Sequence, residues 1–439
     1  MAHLAILCPP LPGHLNPMGV LARELIERGH RVTFLGFPDM RSKLSEDFDF
    51  VAFGGDDQPE GSLASFLDRL SRLGGLFSIR RLISDLAGFA DTICKMLPSA
   101  LHELNPDALI IDQSESSAGL VAKALQIPFA TVANALPLNA EPSIPPPFLP
   151  WAYDPSPQGI RRNLGGYRIA GLIERPIRQT FKRHAKMFGL ADARYPDGCW
   201  SDICQLTQCF EGLDFPRIQL PSNFHYVGPF RKPDREAPLN IPLSGRPLAF
   251  CSFGTLQGSR RHLFEAVARA ALDLKLDLLI AHGGRLSKDE AQNLPGRPIV
   301  RSFVTQRAVL KQSVVAITHA GFNTVLDALS SATPMVALPL AFEQPGTAAR
   351  LQRCGVAEAI YRRPSSFKIR SALGRVLQDS SYGTNAKALS EEIRSTGGVS
   401  RAADLLEQAF GIAAPTAGAT KVSLAQDGAR DDTRNGSRS

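Results

Sequence analysis

Aromatic side chains are scarce in this chain of 439 residues, which has two tryptophans and 7% aromatic residues. No nucleic-acid-binding motif accompanies them, so we expect no nucleic-acid partner. No apolar run approaches the ~20 residues needed to cross a bilayer. The first thirty residues lack a basic head followed by an uninterrupted apolar stretch, so we expect no secretory signal and a cytoplasmic protein.

Cysteine is also sparse, with seven residues scattered along the chain. Cys199, Cys204 and Cys209 are spaced by five, which fits neither a zinc-binding CxxC pair nor a redox pair. We interpret all seven as separate reduced thiols, which agrees with the cytoplasm. No G-x-G-x-x-G follows a predicted strand, which argues against a nicotinamide-dependent dehydrogenase.

The length predicts two domains of about 200 residues, and 44% apolar residues are enough to build their cores. The net charge of +7 is uneven, and residues 160–190 hold eight basic residues and one acid. Mixed with Ile, Leu and Phe, this segment fits contact with an anionic membrane surface. A solvated helix face is the alternative, and the sequence leaves both open.

Both halves of the chain alternate apolar strands with amphipathic helices. In the first half, "HLAIL" predicts a buried strand, Asn16 and Pro17 suit the start of a helix, and Gly29 suits its end. The second half repeats the pattern from "LAFCSF" onward. The rhythm predicts an α/β protein with two facing, doubly wound, Rossmann-like domains and a cleft between them.

The predicted boundaries follow changes in composition. We expect an N-terminal acceptor-binding domain, a Pro-rich linker, a C-terminal nucleotide-sugar domain, a final helix that packs back on the first domain, and a disordered tail. Their ranges are 1–230, 231–247, 248–384, 385–412 and 413–439.

One strand-to-helix junction, "ITHAGFNTVLDA" at 317–328, collects small polar groups. His319 follows the strand, Gly321 allows a turn, and Asn323 and Thr324 suit the helix N-cap. Amides at a helix start hold phosphate oxygens. Asp327 returns to the same helix face one turn later, where its carboxylate can accept hydrogen bonds from a ribose. The junction therefore predicts a nucleotide site.

Three other predicted strand ends add groups to this site. Each group also has a purely structural reading, with Phe303 as a core residue and Glu343 with Gln344 as a loop, just as Thr324 could be only a helix cap. These groups are Gly254 and Thr255 in "FGTLQG", Phe303 and Gln306 in "RSFVTQ", and Glu343 with Gln344 in "AFEQPG". Ligands bind at the carboxyl ends of strands in such sheets, so the conjunction predicts one cleft.

A histidine and a carboxylate form a second candidate site. His14 follows the first strand, in what we expect to be a loop, and Asp112 ends the strand "ALIID". Both project from the same edge of one sheet, so they can meet although 98 residues separate them. An aspartate that accepts from one ring nitrogen leaves the other free as a base for an acceptor hydroxyl.

Residues 303–344 resemble the nucleotide-diphosphate signature of inverting UDP-glycosyltransferases with the GT-B fold. The spacing matches at Gln306, His319, Gly321, Asn323, Thr324, Pro334, Pro339 and Gln344. The resemblance implies that Phe303 stacks on uracil and that the Val304 backbone contacts the edge of the base. It assigns His319, Asn323 and Thr324 to the diphosphate. It further implies that Asp327 binds the ribose and that Glu343 and Gln344 bind glucose.

The chain departs from plant members of that family at four positions. It has Phe303 where they usually have Trp, Thr305 for Pro, Asp327 for Glu, and Glu343 for Asp. "PGHLNP" resembles the catalytic loop of the family and implies that His14 is the base. The resemblance implies UDP-glucose as a co-substrate, inversion to a β-glucoside, and neither cofactor nor metal.

Four further segments, which include "GLDFPRIQLPSNFHYVG", resemble the bacterial zeaxanthin glucosyltransferases of carotenoid biosynthesis over about residues 2–410. This resemblance implies a hydroxycarotenoid acceptor. The Pro/Phe/Leu/Trp insert at 136–151 and the leucine-rich segment 62–89 are candidates to line an apolar acceptor channel. The alternatives are another lipophilic alcohol as acceptor, a non-catalytic auxiliary subunit, and a sugar-nucleotide epimerase.

Overall fold

The computed structural model describes residues 1–71, 75–231, 241–256 and 260–412. They form two parallel β-sheets, each covered by helices on both faces. The predicted tail at 413–439, most of the predicted linker, and residues 257–259, which include the end of the "FGTLQG" segment, lie outside the described residues.

The first sheet has seven parallel strands in the order β3-β2-β1-β4-β5-β6-β7. The strands are β1 His3–Leu7, β2 Arg31–Gly36, β3 Asp49–Ala52, β4 Ala108–Asp112, β5 Phe129–Ala133, β6 Gln205–Thr207 and β7 Phe224–Tyr226. The order reverses between β1 and β4, which sets the loops after these two strands side by side.

The second sheet has six parallel strands in the order β10-β9-β8-β11-β12-β13. They are β8 Leu248–Ser252, β9 Asp277–Ala281, β10 Ile299–Arg301, β11 Ser313–Thr318, β12 Met335–Ala337 and β13 Ala357–Ala359. The order again reverses at the centre, between β8 and β11. The loop after β11 is the predicted nucleotide junction.

Helices connect the strands of both sheets. In the first half they are α1 Pro12–Glu27, α2 Ser62–Ser71, α3 Gly75–Leu104, α4 Ser116–Leu125, α5 Pro157–Ile173 and α6 Arg175–Met187. In the second half they are α7 Arg261–Asp273, α8 Lys288–Gln292, α9 Gln306–Leu310, α10 Phe322–Ser330, α11 Gln344–Arg353, α12 Ser366–Gln378, α13 Ser381–Ser395 and α14 Gly398–Phe410.

Alternation along the strands supplies a core to each face of a sheet. In β1, Leu4 and Ile6 pack into one apolar cluster, whereas Ala5 and Leu7 pack into the cluster on the opposite face. All four side chains are at most 5% exposed. A parallel strand covered by helices on both sides requires such a continuous apolar run. The second sheet has the same two-sided core.

Two helix predictions need correction. Helix α1 begins at Pro12, with Leu11 as its N-cap, so Asn16 and Pro17 lie inside it. The amides of His14 and Leu15 already donate to the Leu11 carbonyl, which continues the helix back to the proline at its first position. His14 therefore lies in the first turn of α1 rather than in a loop.

The final helix that we predicted within 385–412 is in fact part of two helices, α13 and α14. They are separated near Gly397, whose φ of 84° is left-handed and breaks the helical path. The second of them, α14, packs on α1, and Arg28 reaches across to Asp404 at 2.7 Å and Glu407 at 2.9 Å. The ring of the buried His30 lies 3.0 Å from Glu407.

Candidate active site

A cavity of about 1380 Å³ lies between the carboxyl ends of the two sheets. All of the predicted site residues line it: His14, Asp112, Gly254, Thr255, Phe303, Val304, Gln306, His319, Gly321, Asn323, Thr324, Asp327, Glu343 and Gln344. Residues far apart in the sequence meet here because they follow strands of two facing sheets. The individual roles that the sequence suggested for them remain predictions.

His14 and Asp112 form a close pair in this cavity. The Nδ1 atom of His14 lies 2.7 Å from Oδ2 of Asp112, which is only 1% exposed. Burial lowers the pKa of His14, but the charge of Asp112 and its hydrogen bond outweigh this effect, so the net shift is upward. With Nδ1 donating to Asp112, Nε2 is the ring nitrogen that can take a proton.

The carboxylate of Asp112 is held by residues that we had not predicted. Asn134 donates to Oδ2 at 2.7 Å, and both the amide and the hydroxyl of Ser114 donate to Oδ1, at 2.9 and 2.6 Å. Burial alone raises the pKa of Asp112, but His14, Asn134 and Ser114 together lower it. The carboxylate is therefore ionised and fixed in one orientation.

Glu115 is a second carboxylate beside this pair, and it was also missed. It lines the cavity at the start of α4. Burial, together with the neighbouring charge of Asp112, raises the pKa of Glu115 to about 7. Its position three residues after Asp112, beyond the end of the same strand, could have identified it from the sequence. Its protonation state therefore changes the field at His14 near neutral pH.

The nucleotide junction depends on close packing around His319. A Cβ atom at Gly321 would come within 2.3 Å of Nε2 of this histidine, and one at Gly254 within 3.0 Å of its Cε1. The turn itself is made by Ala320, with φ 62°, so Gly321 provides space rather than the turn that we expected. Burial lowers the pKa of His319 to about 4, which keeps the ring neutral.

The start of α10 faces the same cavity. Its N-cap is Gly321, without a side-chain cap, so our prediction of Asn323 and Thr324 as N-cap residues is wrong. They occupy the second and third helical positions instead. The unsatisfied amides and the positive potential of a helix start favour an anion there. The Asn323 side chain also donates to the Gly13 carbonyl at 2.7 Å, which joins the two domains beside His14.

The carboxylate of Asp327, which we predicted to bind a ribose, already accepts hydrogen bonds from two side chains. Arg231 donates to its Oδ1 at 2.6 Å, and Gln306 donates to its Oδ2 at 2.7 Å. Arg231 lines the cavity but was assigned to the linker, so it was missed. A carboxylate has about four acceptor positions, so these two bonds leave room for a ribose hydroxyl.

The residues predicted to bind the uracil and the glucose differ in exposure and in their hydrogen bonds. Phe303 is 70% exposed and presents a ring face for stacking. The side-chain oxygen of Gln344 accepts from the amides of Leu340 and Ala341 at 2.8 and 2.9 Å, so its NH₂ group is the end available to a ligand. Glu343 lies beside it, and burial raises its pKa.

An apolar arm extends from His14 between α2, α3, α5 and α6. The predicted segments supply part of its lining: Leu63, Phe66, Leu70, Ile79, Leu82, Ile83, Leu86 and Phe89 from 62–89, and Leu136, Leu138, Pro147, Phe148 and Leu149 from 136–151. Trp151, which we expected with them, packs instead against α5, where Arg162 lies 5.0 Å above its ring. The arm suits a lipophilic molecule.

The described parts of the chain contain neither a metal-binding cluster nor a membrane-spanning helix. No group of three or more His, Cys, Asp or Glu side chains there is arranged to hold a metal ion. No helix there has both the length and the apolar character needed to span a bilayer.

Two facing parallel sheets with a shared cavity define a GT-B glycosyltransferase fold, and solved structures agree. The glycosyltransferase of kitacinnamycin is 22% identical, with a TM-score of 0.73 and coverage of 93% of this chain and 99% of that one. The calicheamicin glycosyltransferase CalG4 is 19% identical, with a TM-score of 0.74 and coverage of 94% and 100%.

Sequence relatives identify the family within this fold. Residues 185–395 match the family described as UDP-glucoronosyl and UDP-glucosyl transferase. The zeaxanthin glucosyltransferase of Pseudescherichia vulneris is 38% identical, over 93% of this chain and 98% of that protein. The zeaxanthin glucosyltransferase of Pantoea ananas is 36% identical, over 93% and 96%. The chain therefore belongs to the UDP-glucoronosyl and UDP-glucosyl transferase family.

Proposed function

We propose that this enzyme transfers glucose from UDP-glucose to the ring hydroxyl of a hydroxycarotenoid such as zeaxanthin and gives a β-glucoside. One observation carries the proposal: a single cavity joins a polar, nucleotide-type site to a long apolar arm, with His14 between them. The two relatives named zeaxanthin glucosyltransferase support this choice of acceptor.

In the proposed reaction, His14 is the general base. The acceptor O–H bond breaks and its proton moves to Nε2, while the oxygen forms a bond to the anomeric carbon. The bond from that carbon to the diphosphate oxygen breaks on the opposite side, and UDP leaves with the electron pair. Attack from one face with departure from the other inverts an α-linked donor to a β-glucoside. Asp112 holds the imidazole and stabilises the imidazolium that forms.

The donor residues stabilise charge on the departing diphosphate. We propose that His319, Asn323, Thr324 and the amides at the start of α10 hold it, with Gly254 and Thr255 on the other side. Donors fixed in advance at the position of developing charge lower the barrier without reorganisation. Phe303, Val304 and Gln306 then contact the base, Asp327 the ribose, and Glu343 and Gln344 the glucose. No metal or cofactor is required in this scheme.

If the lipophilic acceptor is dissolved in a membrane, the surface around the arm must contact that membrane to receive it. Ile79, Leu86 and Ile173 line the cavity and are each more than one-third exposed, so the arm opens between α3 and α5. Beside this opening, Ile169 and Leu172 are 61% and 74% exposed. Exposed arginines on the same helices complement anionic lipid headgroups. We therefore propose a cytoplasmic protein that makes peripheral contact with the inner face of the membrane.

Vesicle sedimentation tests this contact. The protein should sediment with phosphatidylglycerol vesicles and much less with phosphatidylcholine vesicles. The double variant Ile169→Glu, Leu172→Glu should lose that binding. The double variant Ile203→Glu, Ile218→Glu is the matched control, because these residues are 46% and 82% exposed and lie outside α3 and α5. Equal sedimentation of both variants would contradict the proposed surface.

An assay with UDP-glucose and zeaxanthin tests the function. Chromatography should reveal mono- and diglucosides, and a chelator should leave their formation unchanged. Sterols, polyketides and aromatic alcohols are offered in parallel, and glucosylation of one of these without zeaxanthin would reassign the acceptor. Conversion of the sugar nucleotide without any acceptor would identify an epimerase. Absence of any product would favour an auxiliary subunit.

A further inference from the structure

A line of hydrogen-bonded side chains connects the candidate base to the candidate ribose site. Four residues follow four neighbouring strands of the first sheet: Asp112 ends β4, Asn134 follows β5, Gln208 follows β6, and Arg231 lies beyond β7. Because the carboxyl ends of parallel strands share one edge, these side chains can touch in sequence. The last of them crosses to Asp327 in the second domain.

The bonds in this line all point in one direction. Arg231 donates to the Gln208 side-chain oxygen at 3.2 Å, and Gln208 donates to the Asn134 oxygen at 2.9 Å. Asn134 donates in turn to Asp112 at 2.7 Å, on the same Oδ2 atom that His14 contacts. Each amide is therefore oriented by its neighbours, with the guanidinium charge at one end and the Asp112 carboxylate at the other.

Burial makes this orientation strict. Asp112, Asn134 and Gln208 are at most 2% exposed. A reversed amide would place two acceptors or two donors face to face at almost fully buried positions, which is costly. Chains of hydrogen bonds also polarise one another, so a change of charge at one end alters the bond at the other.

At its far end, the line reaches the donor side of the cavity. The Arg231 guanidinium donates to Asp327 at 2.6 Å and to the Asn323 side-chain oxygen at 3.0 Å. Asn323 also donates to the carbonyl of Gly13, the residue before His14. Arg231 thus contacts Asp327 and Asn323, which we assign to nucleotide binding. Through Asn323, these contacts lead back to Gly13, the residue next to His14.

We propose that Arg231 is a positioning residue that couples nucleotide binding at Asp327 to the orientation of His14 through Gln208 and Asn134. The inference rests on the proposed roles of His14 and Asp327 but not on the identity of the acceptor. A nucleotide that engages Asp327 and Asn323 changes how Arg231 is held, and the oriented amides carry that change to Asp112. By reciprocity, a change at Asp112 alters the affinity for the nucleotide.

A double-mutant cycle tests the coupling, with the Kd for UDP measured for each single variant and for the double variant. Asp112→Asn removes the charge at one end, and Gln208→Glu removes the donation to Asn134 with almost no change in shape. Asp112→Asn alone should change the Kd, and this effect should shrink by at least about twofold in the Gln208→Glu background, as is usual for residues in one network. An additive cycle, or no effect of Asp112→Asn, would overturn the proposal.

Gln205→Glu is the matched control. Gln205 is a buried glutamine at the start of β6, the strand that Gln208 follows, and it bonds to Ser201 and Asn139 outside the line. Its cycle with Asp112→Asn should be additive, and a coupling equal to that of Gln208 would overturn the proposal. If Gln208→Glu does not fold, Arg231→Lys replaces it, because a lysine keeps the charge but cannot form the guanidinium fork.

The kinetic readout separates positioning from simple stability. Gln208→Glu should lower kcat and alter the acid limb of the pH profile, whereas Gln205→Glu should leave both unchanged. Failure of the unmodified enzyme to bind UDP would contradict the proposed donor. Normal UDP binding with an additive cycle would contradict only the coupling.

Discussion

At the scale of single residues, the site depends on the contrast between two histidines. Burial lowers the pKa of both His14 and His319, but only His14 has a carboxylate partner that reverses the shift. His14 is therefore suited to gaining and losing a proton near neutral pH. His319 stays neutral, which suits a hydrogen-bonding role beside a diphosphate.

Replacement of His14 tests its role as base. His14→Ala should reduce transfer by about 10²–10⁴-fold, the usual contribution of a positioned base. The Kd for UDP should change much less than the rate, because Asp112, Asp327 and the start of α10 are intact. Transfer rates and calorimetry measure the two quantities. His102→Ala, at an exposed position, is the control and should change neither. Full activity of His14→Ala would remove His14 from the mechanism.

The pH profile should reveal the influence of Asp112. A general base must be neutral, so kcat/KM falls as the pH drops below the pKa of His14. Asp112 raises that pKa, and Asp112→Asn leaves burial to lower it. The variant should be slower, and its acid limb should move to lower pH. A profile of kcat/KM from acid to neutral pH measures the shift, and movement to higher pH would contradict the assignment.

At the scale of an element, the start of α10 depends on two glycines that make room for one ring. A Cβ atom at Gly321 would meet the His319 ring at 2.3 Å, which requires the ring or the helix start to move. The misplaced N-cap prediction has a related cause. Asn323 and Thr324 have the chemistry of caps, but the helix already begins at Phe322 because the chain turns at Ala320.

Gly321→Ala tests how closely this helix start fits the nucleotide. The variant should bind UDP more weakly and transfer more slowly, because His319 and the α10 amides can no longer keep their present positions. Calorimetry measures the Kd and thermal unfolding measures stability. Gly374→Ala in α12 is the matched control, since a Cβ atom there meets no neighbouring atom within 4 Å. The control should bind UDP normally and gain about 0.5–1 kcal/mol of stability. Unchanged UDP binding in Gly321→Ala would contradict the tight fit.

At the scale of the whole molecule, the two domains are joined by a buried charge cluster as well as by the site. Arg350 of α11 donates to Oδ1 of Asp214 at 2.7 Å, and Arg217 and Tyr226 donate to Oδ2 at 2.6 and 3.0 Å. Burial raises the pKa of Asp214, but the two arginines outweigh it and lower that pKa to about 2. The carboxylate therefore belongs to the folded interface in its ionised form.

Asp214→Asn should destabilise the fold by about 3–5 kcal/mol, because the buried Arg350 loses the carboxylate that it contacts and Arg217 is left with the more distant Glu141, at 3.8 Å. The folded pKa of about 2 lies below the ordinary value of 3.8, so the contribution of Asp214 is present above about pH 4 and is lost as the pH falls toward 2. Denaturant unfolding at several pH values measures both effects. Asp47→Asn, at an exposed ion pair, is the control. Equal stability of the two variants would contradict a structural role for the cluster.

The sequence alone determined the α/β architecture with two facing domains, and it predicted a cleft at the strand ends. Apolar runs and polar groups at strand ends are local patterns, and parallel sheets collect those ends at one edge. The same rule explains why His14 and Asp112 were paired across 98 residues.

Only the tertiary structure decided which side chains hold that pair. Asn134, Gln208 and Arg231 also follow strands, but their bonds depend on packing between sheets and on contact between domains. The role proposed for Arg231, at the edge of a Pro-rich segment, rests on its contact with Asp327 in the opposite domain. These contacts join residues that are far apart in the sequence, and they depend on burial. A local sequence pattern predicts neither.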